Sequence, residues 1–364
     1  MSTDEQVMSP YYEIDLSVVR ENLRAFMDVG FVVAYSVKAN KDAEIIKEIA
    51  SLGGFFEASS SWEYDYLKQI GVSASRIIVN LCYGSKDAVS AMIEDGALVV
   101  ADSLEILGAI AELHTTVKIG LRINLDRIKV GDEYWNRESR FGIDVANAAV
   151  RNLLQNNTQI NVVCLHCHFS GNSRSPKIYA SIAGGLSDMA RAFSNVRQID
   201  VGGGFKTHVW KPMEYRDSIL ASMKGASLDL IVEPGNAIVR TAGSYIVHVV
   251  AIRVCGDVRV VRTTGSYLHV GRRMVQPDDI IACVSGRAKV LRQIIVGCSC
   301  KESDVLGELE RGDELQIGDK ILFRNIGAYC MDEFGRFLIA PPQRKYVGLN
   351  GGDNHRCENV NLVG

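Results

Sequence analysis

The sequence predicts an α/β fold: a (β/α)8 barrel followed by an antiparallel β domain. Three observations predict it. Eight short, β-branched, nearly continuous apolar runs lie between about residues 30 and 235. Amphipathic stretches with helix punctuation separate them, and beyond residue 240 strand-like runs follow one another without helices between them.

The eight runs are FVVAYSV (31–37), GFFEA (54–58), RIIVN (76–80), ALVVA (97–101), VKIGLRI (117–123), INVVCLH (160–166), VRQIDV (196–201) and LDLIVE (228–233). Continuous rather than alternating apolar character is how strands covered on both faces read. Between them, Asn40 precedes DAEIIKEIASL, which Gly53 and Gly54 end; Ser60 and Glu63 have capping-box spacing before YDYLKQI, which Gly71 ends; Ser85 opens KDAVSAMIED, which stops at Gly96. The first four runs recur roughly every 20 residues, one strand plus one helix, with no sequence repeat inside the period. Eight such units in about 200 residues point to a closed barrel. A doubly wound open sheet is the alternative, but it more often has fewer strands. After residue 240 come SYIVHVVAIRV, VRVVRT, DIIACVS, RQIIVG, DKILFRN and RFLIAP, largely alternating and therefore read as antiparallel β structure. The tail from Gly348 is rich in Gly and Asn and reads as irregular.

Composition narrows the function. The 364 residues carry 40 Lys+Arg against 43 Asp+Glu, a net charge of −3, so nothing electrostatic favours nucleic acid or an anionic membrane. No apolar run approaches the ~20 residues that span a bilayer. The acidic start, MSTDEQVMSPYYEIDL, lacks the order of a secretory signal, and nine cysteines without framework spacing suit reduced thiols. These features predict a cytoplasmic protein that acts on a small molecule. Cys164/Cys167 and Cys298/Cys300 have no matching second pair, so no metal site is expected.

Barrel enzymes build their sites at the C-terminal strand ends. Here those ends carry Lys38, Glu57, Arg122 and Asn124, His166 and His168, the run Asp200-Val-Gly-Gly-Gly-Phe205, and Glu233-Pro-Gly-Asn236. Glycines after the seventh strand let backbone N–H groups close around an anion, at the barrel position where phosphate sites recur, although a tight turn needs glycine just as much. Lys38 follows a buried apolar run; desolvation lowers an amine's pKa and makes it an imine-forming nucleophile. Taken alone, it reads first as a rim lysine paired with Glu57. Together with the glycine loop, it points to a phosphorylated aldehyde, pyridoxal phosphate. His166 and His168 share a strand face, and one packed histidine plus one histidine over a planar ligand is preferred to a metal pair. Glu233 is placed to bond a pyridinium nitrogen, or simply to form a turn.

Val33-Ala-Tyr-Ser-Val-Lys38-Ala-Asn40, Ser139-Arg-Phe-Gly142, His166-Cys-His168, Gly202-Gly-Gly204, Glu233-Pro-Gly235, Gly297-x-x-Cys300 and Gly327-Ala-Tyr329 occur in that order. The series resembles the fold-type III pyridoxal-phosphate decarboxylases, the diaminopimelate, ornithine and arginine decarboxylase family, over about Tyr11 to Tyr346. The resemblance implies that the N-terminal strand joins the β domain, giving a barrel over 17–240 and a β domain of 1–16 plus 241–364. It implies a homodimer with sites shared across the interface. It makes Lys38 the lysine that carries the cofactor and His168 the group stacked on its ring. Gly203, Gly204 and Tyr329 would hold the phosphate, with Gly235 and Asn236 nearby, and Glu233 the ring nitrogen. Cys300 from the other subunit would return a proton after carbon dioxide leaves; a thiol holds its proton at pH 7. Arg140 and Asp304 match positions that pair across the dimer.

Departures from the family pattern bear on the substrate. Members acting on basic amino acids place an acid after the cysteine; here Lys301 follows, with Glu302 one place later. Val261-Arg-Thr-Thr-Gly-Ser-Tyr267, where those members place another acid, has none, and His269, Arg272 and Arg273 come next. Glu-Pro-Gly-Arg reads Glu-Pro-Gly-Asn236. The phosphate serine expected after the histidine is displaced to Ser170, and the stretch from Tyr329 to Phe334 is short. A site that loses two carboxylates and gains Lys301 should reject a distal ammonium, because like charge and desolvation both disfavour it. The expectation is therefore a decarboxylase of an amino acid with an anionic or neutral distal group, free or attached to a carrier protein, bound by Lys301, Glu302 and Arg272. The alternatives are a decarboxylase of a basic amino acid, a racemase, or a non-catalytic binding protein.

Overall fold

The computed structural model describes residues 9–81, 83–113, 115–124, 139–169, 174–271, 274–331, 338, 340–348 and 357–358. The chain divides into two compact units, one of Arg20–Ala237 and one of Met1–Val19 with Ile238–Gly364.

The first unit is the barrel. Its strands are β2 (Val32–Ser36), β3 (Phe55–Ala58), β4 (Ile77–Leu81), β5 (Leu98–Ala101), β6 (Val117–Arg122), β7 (Ile160–His166), β8 (Gln198–Asp200) and β9 (Asp229–Val232). All eight apolar runs became strands. Every neighbouring pair is parallel, and β2 closes on β9 through Val32 opposite Ile231. Ala34, Ile78, Val100, Cys164 and Ile231 pack into one buried cluster drawn from five of these strands, so apolar side chains fill the barrel. Gly120 belongs to this packing, because a Cβ there would lie 2.9 Å from Val100 Cγ2.

The helices start where the chain offers acceptors for the first free N–H groups. Ser60 caps Ser61–Gln69 by accepting from Glu63 N, and Ser85 caps Lys86–Glu94 by accepting from Ala88 N. Asn40 does not cap the first of them. Asp42 caps Ala43–Ser51, accepting from Glu44 N and Ile45 N, while Asn40 Oδ1 accepts from Asp42 N. Gly53, Gly71 and Gly96 follow the helix ends at φ near +90°, where a side chain would be strained.

The second unit is a nine-stranded sheet among the described residues. β1 (Tyr11–Asp15) lies between β10 (Gly243–Cys255) and β16 (Gln343–Val347), so the N-terminal strand does join this unit. The others are β11 (Val258–Thr263), β12 (Ile280–Ala282), β13 (Lys289–Val296), β14 (Val305–Asp313), β15 (Lys320–Phe323) and β17 (Cys357–Glu358). Three expectations need correction. Two pairings, β1 with β16 and β11 with β13, are parallel, so the sheet is not purely antiparallel. The charge-rich β14 and β16 lack a clear apolar alternation, yet both pair along their length. The tail is not wholly irregular, since β17 pairs with Arg344 and Lys345. Half of the run RFLIAP lies outside the described residues.

Candidate active site

The C-terminal ends of the barrel strands bring the predicted polar residues together. Lys38 sits in a single 3-10 turn, Val37–Ala39, directly after β2. Its Nζ donates to Glu57 Oε2 at 2.6 Å and to Ser59 Oγ at 3.0 Å. The amine is 43% exposed while Glu57 is 1% exposed, so a buried carboxylate holds a reachable nitrogen. Glu57 also accepts from Ser36 Oγ at 2.5 Å and from Ser59 Oγ at 2.6 Å. The pairing with Glu57 and the role of cofactor lysine are therefore compatible readings of one side chain.

Glu233, at the end of β9, is buried. Asn80 Nδ2 of β4 donates to its Oε1 at 2.5 Å, and His166 Nε2 lies 3.6 Å from its Oε2. Asp200 completes this cluster, its ligand atoms lying within 4.8 Å of those of His166 and Glu233. Two carboxyls so close in a buried site do not both ionise. Burial, and then the charge of Glu233, push Asp200 well above the ordinary carboxyl range. Burial also pushes Glu233 up, but the contact with His166 and the charge of Lys38 outweigh it and hold Glu233 well below that range. The two carboxyls are thus driven in opposite directions, Asp200 up and Glu233 down.

His168 has its Nδ1 occupied as acceptor of Gly203 N–H at 3.1 Å, so the ring is neutral with its hydrogen on Nε2. Burial, seconded by the charges of His166, Arg122 and Lys38 against the pull of Glu233, pushes it down to about 3. A Cβ on Gly202, whose φ is 71°, would collide with this imidazole. Glycine there lets the ring lie on the loop.

The glycine loop is fastened from below by an aromatic cluster. Tyr179 stacks on Phe205 at 4.5 Å, and Tyr215 meets both edge-on at 5.1 and 4.9 Å. Tyr179 Oη donates to Gly203 O at 2.9 Å. Glu233 N donates to Gly202 O, and Ser36 N to Pro234 O, which ties the loops after β8 and β9 to the strand that carries Lys38. Gly235 is buried in that seam, where a Cβ would lie 2.7 Å from Ala39 Cβ; Asn236 is exposed. The motif Ser139-Arg-Phe-Gly142 is anchored to the rim by Asp102, which accepts from Gly142 N and from Arg122 Nη1. Arg140 lies over the ring of Phe141.

In the sheet unit, Cys300, Lys301 and Glu302 are all exposed on one turn after β13. The turn is pinned by buried Asp304, whose carboxylate accepts from Ser266 Oγ, Tyr267 N and Ser299 N at 3.0, 2.7 and 3.1 Å. The residue matched to a cross-dimer pair thus has three donors in its own chain. Tyr329 is 40% exposed with φ 56°. Ser170, Arg272 and Arg273 lie outside the described residues, as does the second half of the stretch from Tyr329 to Phe334.

The sequence pattern assigns no role to Asn80, although it ends an apolar run and is a polar residue at a strand end; Asp200 enters it only as the start of the glycine run. The barrel cluster fits pyridoxal phosphate: it has a reachable strand-end lysine, a neutral ring laid on a glycine cradle, and an ionised buried carboxylate. Among the described residues, Asn80 Oδ1 and His166 Nδ1 are buried without a hydrogen-bonding partner, so polar groups there remain to be satisfied.

A parallel eight-stranded barrel carrying that constellation, in one chain with a separate β-sheet unit, defines a pyridoxal-phosphate enzyme of the decarboxylase fold. Residues 17–240 match the pyridoxal binding domain of the pyridoxal-dependent decarboxylases, and the chain belongs to that family. It is an enzyme, a carboxy-lyase whose cofactor is pyridoxal phosphate. It is 26% identical to a diaminopimelate decarboxylase of Vibrio cholerae over 350 residues, 89% of this chain and 84% of that one. It is 25% identical to antizyme inhibitor 1 of Mus musculus, over 90% of this chain and 78% of that one. The fold resembles the crystal structure of Helicobacter pylori diaminopimelate decarboxylase complexed with L-lysine, with TM-score 0.82, 20% identity and 98% and 95% coverage. It also resembles the arginine decarboxylase of Paramecium bursaria Chlorella virus, with TM-score 0.77, 22% identity and 94% and 99% coverage. Among the described residues no helix is long and apolar enough to cross a membrane.

Proposed function

We propose that the protein removes the α-carboxylate of an amino acid whose distal group is anionic or neutral. The observation that carries this is the exposed turn Cys300-Lys301-Glu302, which puts an ammonium, not a carboxylate, directly after the cysteine. When bound, pyridoxal phosphate supplies the sink for the electrons left by the departing carboxylate. Lys38 is the attachment point, and Glu57 with Ser59 holds its amine and accepts its proton. Glu233 meets the ring nitrogen, kept ionised for that purpose by His166 and Asn80. His168 covers the ring face as a neutral imidazole, excluding water. Gly204, Ser170 and Tyr329 serve the phosphate, with Gly203 shaping the loop. Cys300 of a second copy returns a proton to the carbon that lost its carboxylate, so two chains complete two sites. Lys301 and Arg272 receive the distal group.

A second reading is favoured by Glu302, exposed on the same turn, and by relatives named diaminopimelate decarboxylase. In it Glu302 takes a distal ammonium. Purified protein titrated with basic, acidic and phosphate-bearing amino acids, read by visible absorbance and carbon dioxide release, separates the two. The expected result is turnover of anionic or neutral compounds only. Turnover of lysine, ornithine or diaminopimelate would transfer the assignment to Glu302.

A further inference from the structure

The glycine loop holds less anion-binding capacity than its sequence promises. Gly202 N–H is donated to Asp200 Oδ1 at 2.8 Å, and Gly203 N–H to His168 Nδ1. Each bond has a role inside the cluster, the first bracing the Asp200 carboxyl, the second fixing the histidine tautomer. Of the three glycine N–H groups, only that of Gly204 has no acceptor among the described residues. A phosphate is close to a dianion near neutral pH, and one backbone donor does not balance it.

A cation stands beside that loop. Arg174 Nη1 donates to Phe169 O, and lies 3.4 Å from Gly203 O. A Cβ on Gly204, whose φ is 92°, would collide with the same guanidinium. The arginine is also held by its backbone, since Tyr215 Oη donates to Arg174 O at 2.7 Å while the Tyr215 ring packs in the aromatic cluster under the loop. Phe169 is buried directly after His168, and the guanidinium lies 5.8 Å from the centre of its ring. The side chain is thus gripped at both ends, and its planar fork suits phosphate oxygens. At the other candidate place, after Glu233-Pro-Gly, the chain carries exposed, uncharged Asn236.

We propose that Arg174 is the cation that binds the cofactor phosphate in this chain. The inference rests on the reading of Gly202–Gly204 as the phosphate loop and adds to it the charge that the loop lacks.

The test compares pyridoxal phosphate with pyridoxal, which lacks only the phosphate, by absorbance titration of cofactor-stripped wild-type protein and of Arg174→Met and Arg174→Lys. Wild type should bind the phosphorylated form far more tightly. Arg174→Met should weaken pyridoxal phosphate about 10- to 100-fold, the loss of one or two charge-assisted hydrogen bonds, and leave pyridoxal within about twofold. Inorganic phosphate should compete with pyridoxal phosphate in wild type and lose that effect in Arg174→Met. Arg174→Lys should fall between, keeping the charge without the fork. Pyridoxal binding doubles as the control for folding. Equal weakening of both compounds would reduce Arg174 to a structural support and overturn the proposal. If Arg174→Met still prefers the phosphorylated form as wild type does, Arg174 is excluded and the loop reading stands. If wild type itself shows no preference, the loop reading falls first.

Discussion

Asn80 Nδ2 bonds Glu233 Oε1 at 2.5 Å and also reaches toward Glu57 Oε1 at 3.4 Å, so one amide stands between Glu233 and the carboxylate that holds Lys38. An amide can donate to both without adding charge to a cluster that already holds Glu57, Asp200 and Glu233. Asn80→Ala should remove the donor and lower turnover about 10- to 100-fold, the rate equivalent of a lost hydrogen bond to a buried charge. Asn80→Asp should be worse, because a fourth carboxyl must either take a proton or repel its neighbours. Steady-state kinetics of both variants, with the pH titration of the visible cofactor band, checks the ranking. Activity in Asn80→Asp equal to wild type would show that Glu233 does not depend on the amide.

The barrel, the lysine and the glycine loop could be read in the sequence because each is written locally. A strand covered on both faces must be apolar throughout, and the residue at its C-terminal end is then the first free to be polar. Lys38, Glu57, His166 and Glu233 are all such residues. Asp200, at the end of β8, is another. Arg174 could not be read this way, since it gains its position from Tyr215, 41 residues later, and the upward shift of Asp200 could not either, since it comes from burial and from Glu233, which the fold sets beside it. The sheet unit was legible where alternation was clean. It was hidden in β14 and β16, whose pairing partners, not their own patterns, make them strands.

Acid should weaken the fold through two histidines kept neutral by burial. His168 is pushed down to about 3, and His269, with Tyr245 Oη 2.6 Å from its Nδ1, to about 4. Each folded value lies below the unfolded value near 6.5, so between them the unfolded chain binds more protons. Stability is full above pH 6.5 and is lost as pH falls toward the folded values. The melting temperature of the cofactor-free protein should fall steadily from pH 7 to pH 4.5. His269→Gln, which keeps a hydrogen-bonding side chain but cannot titrate, should have a lower melting temperature at pH 7 and a shallower slope. An unaltered slope would mean that His269 contributes nothing to it.

Gly235 makes a steric prediction at the seam between the loop after β9 and the strand of Lys38. An added Cβ would meet Ala39 Cβ at 2.7 Å and Ser36 Cβ at 3.1 Å, both buried, on either side of Lys38. Overpacking of this kind costs about 1–3 kcal/mol, and here part of it should displace the turn that presents the amine. Gly235→Ala should therefore melt several degrees lower and bind cofactor more weakly. A comparison away from the site, Gly53→Ala, has no atom within 4 Å of the new Cβ but sits at φ 87°, so it should cost stability without touching cofactor binding.

The proposed substrate preference rests on Lys301. It follows Cys300 on a turn whose backbone is held by Asp304, and the Asp304 N–H is itself donated to Lys301 O at 3.0 Å. Those bonds run through backbone atoms of the turn, and a Lys301 substitution leaves them available while reversing the charge. If Lys301 receives an anionic distal group, Lys301→Glu should raise KM for that substrate about 10- to 100-fold, as a charge-assisted contact becomes a repulsion, with a smaller effect on kcat. The same variant should gain measurable activity on an amino acid with a distal ammonium, because specificity follows the sign of the charge. Raising the salt concentration should shrink the difference between wild type and variant, since the turn is exposed and screened. Glu302→Gln provides the counter-test: it should leave an anionic substrate unaffected or slightly improved. A Lys301→Glu enzyme with unchanged kinetics beside a crippled Glu302→Gln enzyme would assign the distal group to Glu302 and make the substrate basic.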